Sequence, residues 1–165
     1  MISKEDALKL VFNTSKYAHV LIASAIMSKL AARLGENRRE WELVGLLHDL
    51  DFDEVGGDMS KHGVVTAERL VGKLSEKCLH AIKAHDYRTG FKPNSKLDNA
   101  LLAVDSLSLL IEKAQKRHQK LSVETLETIL TDISSEQPWH RTNITKCREI
   151  GLSLCEFLEL GVSSL

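Results

Sequence analysis

Leu43 to Asp53 reads Leu-Val-Gly-Leu-Leu-His-Asp-Leu-Asp-Phe-Asp, an apolar run that ends in a histidine and three aspartates. The apolar part is typical of a helix that is buried on most sides. An ionised carboxylate in such a place loses solvation worth several kcal/mol, so Asp49 must either stay in contact with water or meet a cation. The residues around this stretch therefore decide what Asp49 does.

His48 indicates which cation could balance Asp49. Imidazole and carboxylate are the ligand types of Zn, Fe, Mn, Ni and Co. Adjacent helical residues point about 100° apart, so both side chains reach one ion only at a cleft or at a helix end. The acidic, glycine-containing run 51–58 supplies such an end. A His-Asp pair alone is weak evidence, and the rest of the chain must strengthen or weaken it.

Composition limits the possible classes of protein. A chain of 165 residues is expected to form one domain, 1–165, that buries about 70% of its unfolded surface without disulfides or a structural metal. Any metal would therefore be functional. The net charge is -1, with Lys+Arg 22 against Asp+Glu 23, and no dense basic cluster occurs. This balance argues against a nucleic-acid partner.

The three cysteines are odd in number and form no Cys-x-x-Cys pair. Neither a disulfide framework nor a cysteine zinc site is indicated, so we expect a reducing, cytoplasmic location. The start of the chain carries no apolar signal core, and no apolar run approaches the roughly 20 residues of a membrane span. We expect a soluble protein in which Cys147 and Cys155 are buried on the last helix.

Apolar residues recur at helical spacing along the whole chain, whereas no segment alternates convincingly at period two. Aromatic content is only 5%, which gives strands little further support. The pattern predicts an all-α bundle of about eight helices. Their expected ranges are 3–12, 16–34, 39–49, 61–73, 76–85, 96–119, 123–133 and 142–160, the last interrupted at Gly151.

Other ligand-type residues lie on, or at the edges of, these helices. They are His19, His62, His85 and Asp105. A lone histidine on an apolar helix is usually a core residue that is hydrogen-bonded to a backbone carbonyl. Asp105 is harder to explain in this way, because it is flanked by leucines and a valine and a buried carboxylate needs a partner.

The partner of Asp105 could be a basic side chain such as Lys16 or Arg33, or the ion that the His48-Asp49 pair would hold. Several ligand-type side chains, each on its own apolar helix, fit converging metal ligands better than independent coincidences. The joint pattern therefore favours a metal site.

The order of these residues resembles the H…HD…D pattern of the HD-domain metal-dependent phosphohydrolase superfamily. The matching residues are His19, His48, Asp49 and Asp105. The resemblance implies an all-helical enzyme in which these four side chains bind a divalent metal. His62 and His85 look like the extra ligands of two-metal members.

The chain is similar over nearly its full length to small stand-alone HD-domain proteins of bacteria and archaea. Segments 45–51, 99–105 and 151–157 carry this likeness. One departure is that Tyr87-Arg88-Thr89-Gly90 is not the glycine-tyrosine-proline segment of members that act on cyclic dinucleotides. The group implies no particular substrate.

The implied chemistry suits these ligands. A bound divalent ion lowers the pKa of its water from 15.7 towards about 7 and polarises a phosphoryl oxygen, and two ions roughly 3.5–4 Å apart clamp the attacking and leaving oxygens. Asp49 is the natural bridging ligand, because its two oxygens can serve both ions. Imidazole ligands favour one or two ions of Fe, Mn, Ni, Co or Zn over Mg.

Further catalytic candidates lie next to these ligands in the sequence. Asp53, with its neighbours Asp51 and Glu54, could orient or deprotonate a water, but a solvated acidic loop explains them as well. Lys61, Lys83 and Arg88 could bind phosphate, but each is equally explained as a surface charge. The remaining histidines, His80, His118 and His140, match no pattern.

Two functions stay open at this point. The first is a metal-dependent phosphohydrolase that acts on a small phosphorylated metabolite or nucleotide through a metal-activated water. The alternative is a non-catalytic ligand-sensing or regulatory module that retains the metal pocket. Neither a nucleic acid nor a membrane is an expected partner, and a homodimer is an open option.

Overall fold

The computed structural model describes residues 1–165 and consists of helices joined by turns and loops, which confirms the predicted all-α class. Nine α-helices and two 3-10 helices follow one another along the chain. The α-helices are α1 (Lys4–Val11), α2 (Tyr17–Leu34), α3 (Arg38–Leu47), α4 (Val64–Arg69), α5 (Glu76–Ala84), α6 (Lys96–Lys116), α7 (Val123–Ser134), α8 (Trp139–Ile144) and α9 (Leu154–Val162); the 3-10 helices are Tyr87–Thr89 and Thr145–Ile150.

Local sequence signals account for most helix ends. Ser95 and Asp98 form a reciprocal capping box at the start of α6, which satisfies backbone N–H groups that lack a partner within the helix. Gly35 ends α2 in the left-handed conformation, at φ 68, which glycine adopts without a Cβ penalty. These ends agree with the predicted ones to within a residue or two.

Two helical ranges differ from the prediction. The segment expected to be helical over 61–73 is helical only in α4, because Gly63 takes a φ of +78 and holds His62 outside the helix. The segment expected over 142–160, with an interruption at Gly151, instead begins at Trp139 and divides into α8, a 3-10 helix and α9. Gly151, at φ +85, separates the last two, and this division raises the number of α-helices from eight to nine.

A continuous core of 40 buried apolar residues extends from α1 to α9. Helix α2 packs against both α3 and α6. Gly45 permits the close approach of α3 to α2, since a Cβ there would lie 2.8 Å from the Ala23 carbonyl oxygen. This approach brings the carboxyl end of α3, with His48 and Asp49, towards the first turn of α2, which carries His19.

None of the helices combines the length and the apolar composition that crossing a membrane requires. The three cysteines are free thiols. Cys147 is buried as expected, although it lies on the 3-10 helix. The expectation that Cys155 is buried is wrong, because it faces outward from the first turn of α9.

Candidate metal centre

Six predicted ligand side chains converge from five parts of the fold. They come from α2, the end of α3, the loop before α4, the end of α5 and the middle of α6. They form two groups, His19, His48, Asp49 and Asp105 in one, and Asp49, His62 and His85 in the other. Within each group the ligand atoms lie within 4.8 Å of one another, so Asp49 belongs to both.

The two carboxylate oxygens of Asp49 face the two groups. Oδ1 lies 3.0 Å from His62 Nε2 and 3.4 Å from His85 Nε2. Oδ2 lies 3.8 Å from His19 Nε2 and 3.6 Å from Lys16 Nζ. Lys16, considered above as a partner of Asp105, therefore pairs with Asp49 instead.

The charge of Asp49 is stabilised by its histidine neighbours. Burial would raise the pKa of Asp49, but the nearby His48 and hydrogen bonds from His62 and His85 hold this pKa well below its usual value. The carboxylate is therefore ionised at neutral pH although only 3% of the residue is exposed. A buried anion surrounded by imidazoles is well suited to attract a cation.

All four histidines of the two groups use Nδ1 for a hydrogen bond to an oxygen. The acceptors are Glu112 Oε2 at 3.1 Å from His19, the Gly45 carbonyl at 2.9 Å from His48, Asp51 Oδ1 at 2.8 Å from His62 and the Ile82 carbonyl at 2.5 Å from His85. Carbonyl and carboxylate oxygens only accept, so each Nδ1 carries the proton. In the neutral rings every Nε2 therefore presents a lone pair to the centre, which is the arrangement of metal-binding histidines.

Two observations test whether this donor set fits a metal. His48 Nε2 is buried and has no hydrogen-bond partner. His62 Nε2 and His85 Nε2 lie 3.1 Å apart, so in the neutral rings two lone pairs would face each other. A divalent ion satisfies both arrangements, and imidazole nitrogens with carboxylate oxygens are suitable ligands for Zn, Fe, Mn, Ni or Co.

The raised pKa values of two histidines also indicate that the surrounding carboxylates favour positive charge at this site. Burial lowers the pKa of His19, but hydrogen bonds and charges from Asp105 and Glu112, with the charge of Asp49, outweigh burial and raise it to about 10. Burial likewise lowers the pKa of His62, but Asp49 and Asp51 raise it to about 9. The carboxylates thus stabilise a cation at the ring nitrogens.

Asp105 is a candidate ligand, whereas Asp51 contacts a ligand, His62. Asp105 lies 3.0 Å from His19 Nε2, and this contact outweighs burial and lowers the pKa of Asp105. Asp51, considered above as a base for water, is fully buried, and its carboxylate accepts hydrogen bonds from His62 Nδ1 and from the backbone N–H groups of Gly63 and Thr66. Asp51 therefore orients His62 and does not line the cavity beside the ligands.

Four residues were predicted to act in catalysis, and three of them, Asp53, Lys61 and Arg88, are not candidate metal ligands. Asp53 accepts hydrogen bonds from Ser15, and Lys61 pairs with Asp58 at 2.9 Å with its side chain 65% exposed. Neither lines the cavity above the metal centre, whereas Arg88 does. The fourth residue, Asp49, lies at the centre itself.

The cavity has a volume of about 290 Å³. One wall of it was not predicted from the sequence and comes from the segment around α8. Its side chains are Gln137, Trp139, His140 and Asn143. The sequence did not indicate this wall, because these residues reach the cavity through tertiary packing of α8 against α6. Glu112 was also missed, although it follows Asp105 by two helical turns and therefore shares its face of α6.

Comparison with known proteins agrees with this geometry. The HD domain family matches residues 17–133, a range that contains all six candidate ligands. The chain belongs to the HD-domain family. The all-helical fold and the buried His/Asp cluster, which is compatible with a divalent metal, are consistent with a family of metal-dependent phosphohydrolases.

Relatives of this HD-domain protein include two bacterial enzymes named ribonuclease Y. That of Geobacter sulfurreducens is 34% identical over 123 residues, which cover 72% of this chain and 22% of the relative. That of Pelobacter propionicus is 36% identical over 118 residues, covering 68% of this chain and 22% of the relative. The HD-domain protein thus spans 22% of the length of these relatives. No solved structure matches it significantly.

Proposed function

We propose that residues 1–165 act as one metal-dependent phosphohydrolase domain on a small phosphorylated metabolite or nucleotide. The observation that carries the proposal is the common orientation of four histidines, whose Nε2 atoms surround the shared carboxylate of Asp49. Membership of the HD-domain family supports the same class of reaction.

The two ligand groups suggest a division of roles. One ion would be held by His19, His48, Asp49 and Asp105, and a second by Asp49, His62 and His85. Bound ions of this kind supply hydroxide from water near neutral pH and polarise a phosphoryl oxygen. The protein side chains hold the ligand lone pairs in place, since each Nδ1 is fixed by an oxygen acceptor.

Two cations on the cavity wall would bind phosphate. Lys16 Nζ lies 3.6 Å from Asp49 Oδ2 and 3.9 Å from the centroid of the Phe52 ring, which limits its orientations. Arg88 uses Nε and Nη2 to bind Asp86, so its Nη1 remains for a phosphate oxygen. Asp86 follows the ligand His85 directly, and this links the position of the guanidinium to the metal centre.

The size of the cavity favours a small substrate. A volume of about 290 Å³ is just below the roughly 300–1,000 Å³ that is usual for small-molecule sites. The names of the relatives agree with hydrolysis of a phosphoester that contains a nucleotide. Because the chain spans 22% of those relatives, RNA cleavage is not carried over, and the exclusion of nucleic acid stays a prediction.

The test is a panel of phosphate monoesters, phosphate diesters, nucleotides and a short RNA, assayed with Mn, Fe, Co, Ni and Mg. We expect hydrolysis of a phosphate ester that depends on a transition metal and is abolished in Asp49→Ala, with the helical circular dichroism retained. His80→Ala, a histidine outside the cavity, is the matched control. If no substrate of the panel is hydrolysed at full metal occupancy, the result favours the alternative function, a non-catalytic ligand-sensing module.

A further inference from the structure

The wall formed by residues 137–143 follows the segment that matches the HD domain family, which ends at residue 133. Four side chains of this wall line the cavity above the metal centre: Gln137, Trp139, His140 and Asn143. None of them is charged at neutral pH, whereas Lys16 and Arg88 carry positive charge elsewhere on the cavity lining. The cavity therefore has one part in which Lys16 and Arg88, each paired with an aspartate, can contact phosphate, and a neutral part suited to another group.

Aromatic side chains mark the neutral part. Trp139 is 42% exposed although it lines a cavity, and Tyr87, on the 3-10 helix after α5, is 69% exposed and lines it too. Large exposed rings in a concave site are a binding feature, because a ligand that covers them removes apolar surface from water. A planar ring has the shape that uses such a surface most fully.

A hydrogen bond from His140 orients the amide of Gln137, which lies near Trp139 in the chain. His140 Nδ1 lies 3.1 Å from Ser106 Oγ, and His140 Nε2 lies 3.1 Å from Gln137 Oε1. Because Oε1 only accepts, Nε2 donates to it, and Nδ1 accepts from the serine hydroxyl. The amide nitrogen of Gln137 is then left free to donate to a ligand. Asn143, also on the cavity wall, offers a second amide donor and acceptor.

We propose that α8 and the residue pair before it select the organic part of the substrate, a planar nitrogen-containing ring of the nucleobase class. The ring would cover the face of Trp139, and the amides of Gln137 and Asn143 would bind its polar edge. This inference rests on the proposed phosphohydrolase function and deepens it, since it assigns a nucleoside monophosphate rather than a sugar phosphate to the cavity.

Intrinsic fluorescence gives a direct test. The protein has two tryptophans, and Trp41 is 2% exposed while Trp139 is 42% exposed, so ligand quenching reports on Trp139. The probes are the nucleoside 5′-monophosphates, the corresponding nucleosides and ribose 5-phosphate, with chelator present to prevent turnover. We expect saturable quenching by at least one nucleotide and its nucleoside, and none by ribose 5-phosphate.

Variants separate stacking from general binding. Trp139→Leu should weaken nucleotide binding about 10-fold by calorimetry, whereas Phe12→Leu, which changes an exposed ring outside the cavity, should not. Absence of quenching by every nucleotide and nucleoside, or equal quenching by ribose 5-phosphate, would overturn the inference. Phosphate release from sugar phosphates alone would overturn it while leaving the proposed function intact. Quenching with a silent hydrolysis panel would support the binding of a nucleobase at α8 and overturn only the proposed hydrolysis.

Discussion

His62 and His85 face each other through their Nε2 atoms, which lie 3.1 Å apart and both close to Oδ1 of Asp49. Each ring donates its Nδ1 proton to an oxygen, so neither neutral ring has a second proton to place between them. The pair is therefore stable only with a cation, either a proton or a metal ion. Protons and metal ions therefore compete for this pair.

The first prediction concerns pH. The pKa values of His19 and His62 are about 10 and about 9, above the ordinary value of 6.5. Their contribution to the stability of the metal-free protein is therefore fully present below about pH 6.5 and is lost as the pH rises through 9 and 10. We expect the Tm in chelator to fall over this range. A Tm that does not change between pH 7 and 10 would contradict this.

The apparent metal affinity should rise with pH, whereas the Tm of the metal-free protein falls. A metal binds the neutral imidazole and must displace the protons of His19 and His62, so the apparent metal affinity should rise as the pH increases from 6.5. Calorimetry in buffers of different ionisation enthalpy at pH 7 should detect proton release on binding. His62→Ala should release fewer protons than the wild type.

A second prediction concerns Glu112, which accepts from His19 Nδ1 and holds Nε2 towards Asp105. Glu112→Leu removes the acceptor, and we expect the metal affinity of the His19 group to fall about 10- to 100-fold. Glu112→Gln keeps an accepting oxygen and should lose less. Chelator competition measures the affinity, and nitrogen NMR shows whether His19 keeps its Nδ1 proton. An unchanged ring and affinity in the leucine variant would reject this role.

The third prediction compares two glycines with positive φ. In Gly72→Ala the new Cβ meets open space at φ +73, so only the backbone strain of about 1–2 kcal/mol is expected. In Gly63→Ala the Cβ would also overlap the Ile82 carbonyl oxygen and approach His85 Cε1 to 3.0 Å, which adds about 1–3 kcal/mol. Urea unfolding measures both costs, and equal values would argue against tight packing at His85.

A fourth prediction separates Arg88 from Lys61, both considered as phosphate ligands from the sequence. Arg88→Ala should lower kcat/KM by about 10- to 100-fold, because a charge-assisted hydrogen bond contributes roughly 1.5–3 kcal/mol. Lys61→Ala should leave kcat/KM unchanged, since Lys61 is exposed and pairs with Asp58 outside the cavity. A large loss in the lysine variant would show that the loop before His62 moves onto the substrate.

The convergence of three of these side chains could be predicted from the sequence for a physical reason. A histidine or aspartate in an apolar helix must find a partner, so His48, Asp49 and Asp105 could be expected to meet. The helix starts and ends were predictable where a capping residue such as Ser95 or a terminal glycine such as Gly35 marks them.

Residues whose position depends on tertiary packing were not predictable. Trp139 lies between the helices predicted over 123–133 and 142–160, and only the packing of α8 on α6 brings it and Asn143 to the cavity. Asp53 looked equivalent to Asp51 in the sequence. In the fold, however, Asp51 is buried beneath His62, while Asp53 turns outward and bonds Ser15.

The central claim is that Asp49 bridges two adjacent metal sites. Metal content per chain tests it most directly, measured for the wild type, His62→Ala, His85→Ala and the control His80→Ala. We predict two equivalents in the wild type and the control, and about one equivalent in each of the other two variants, which lose the second group and keep His19, His48, Asp49 and Asp105. Unchanged stoichiometry in both His62→Ala and His85→Ala would contradict the paired site and leave a single four-ligand metal.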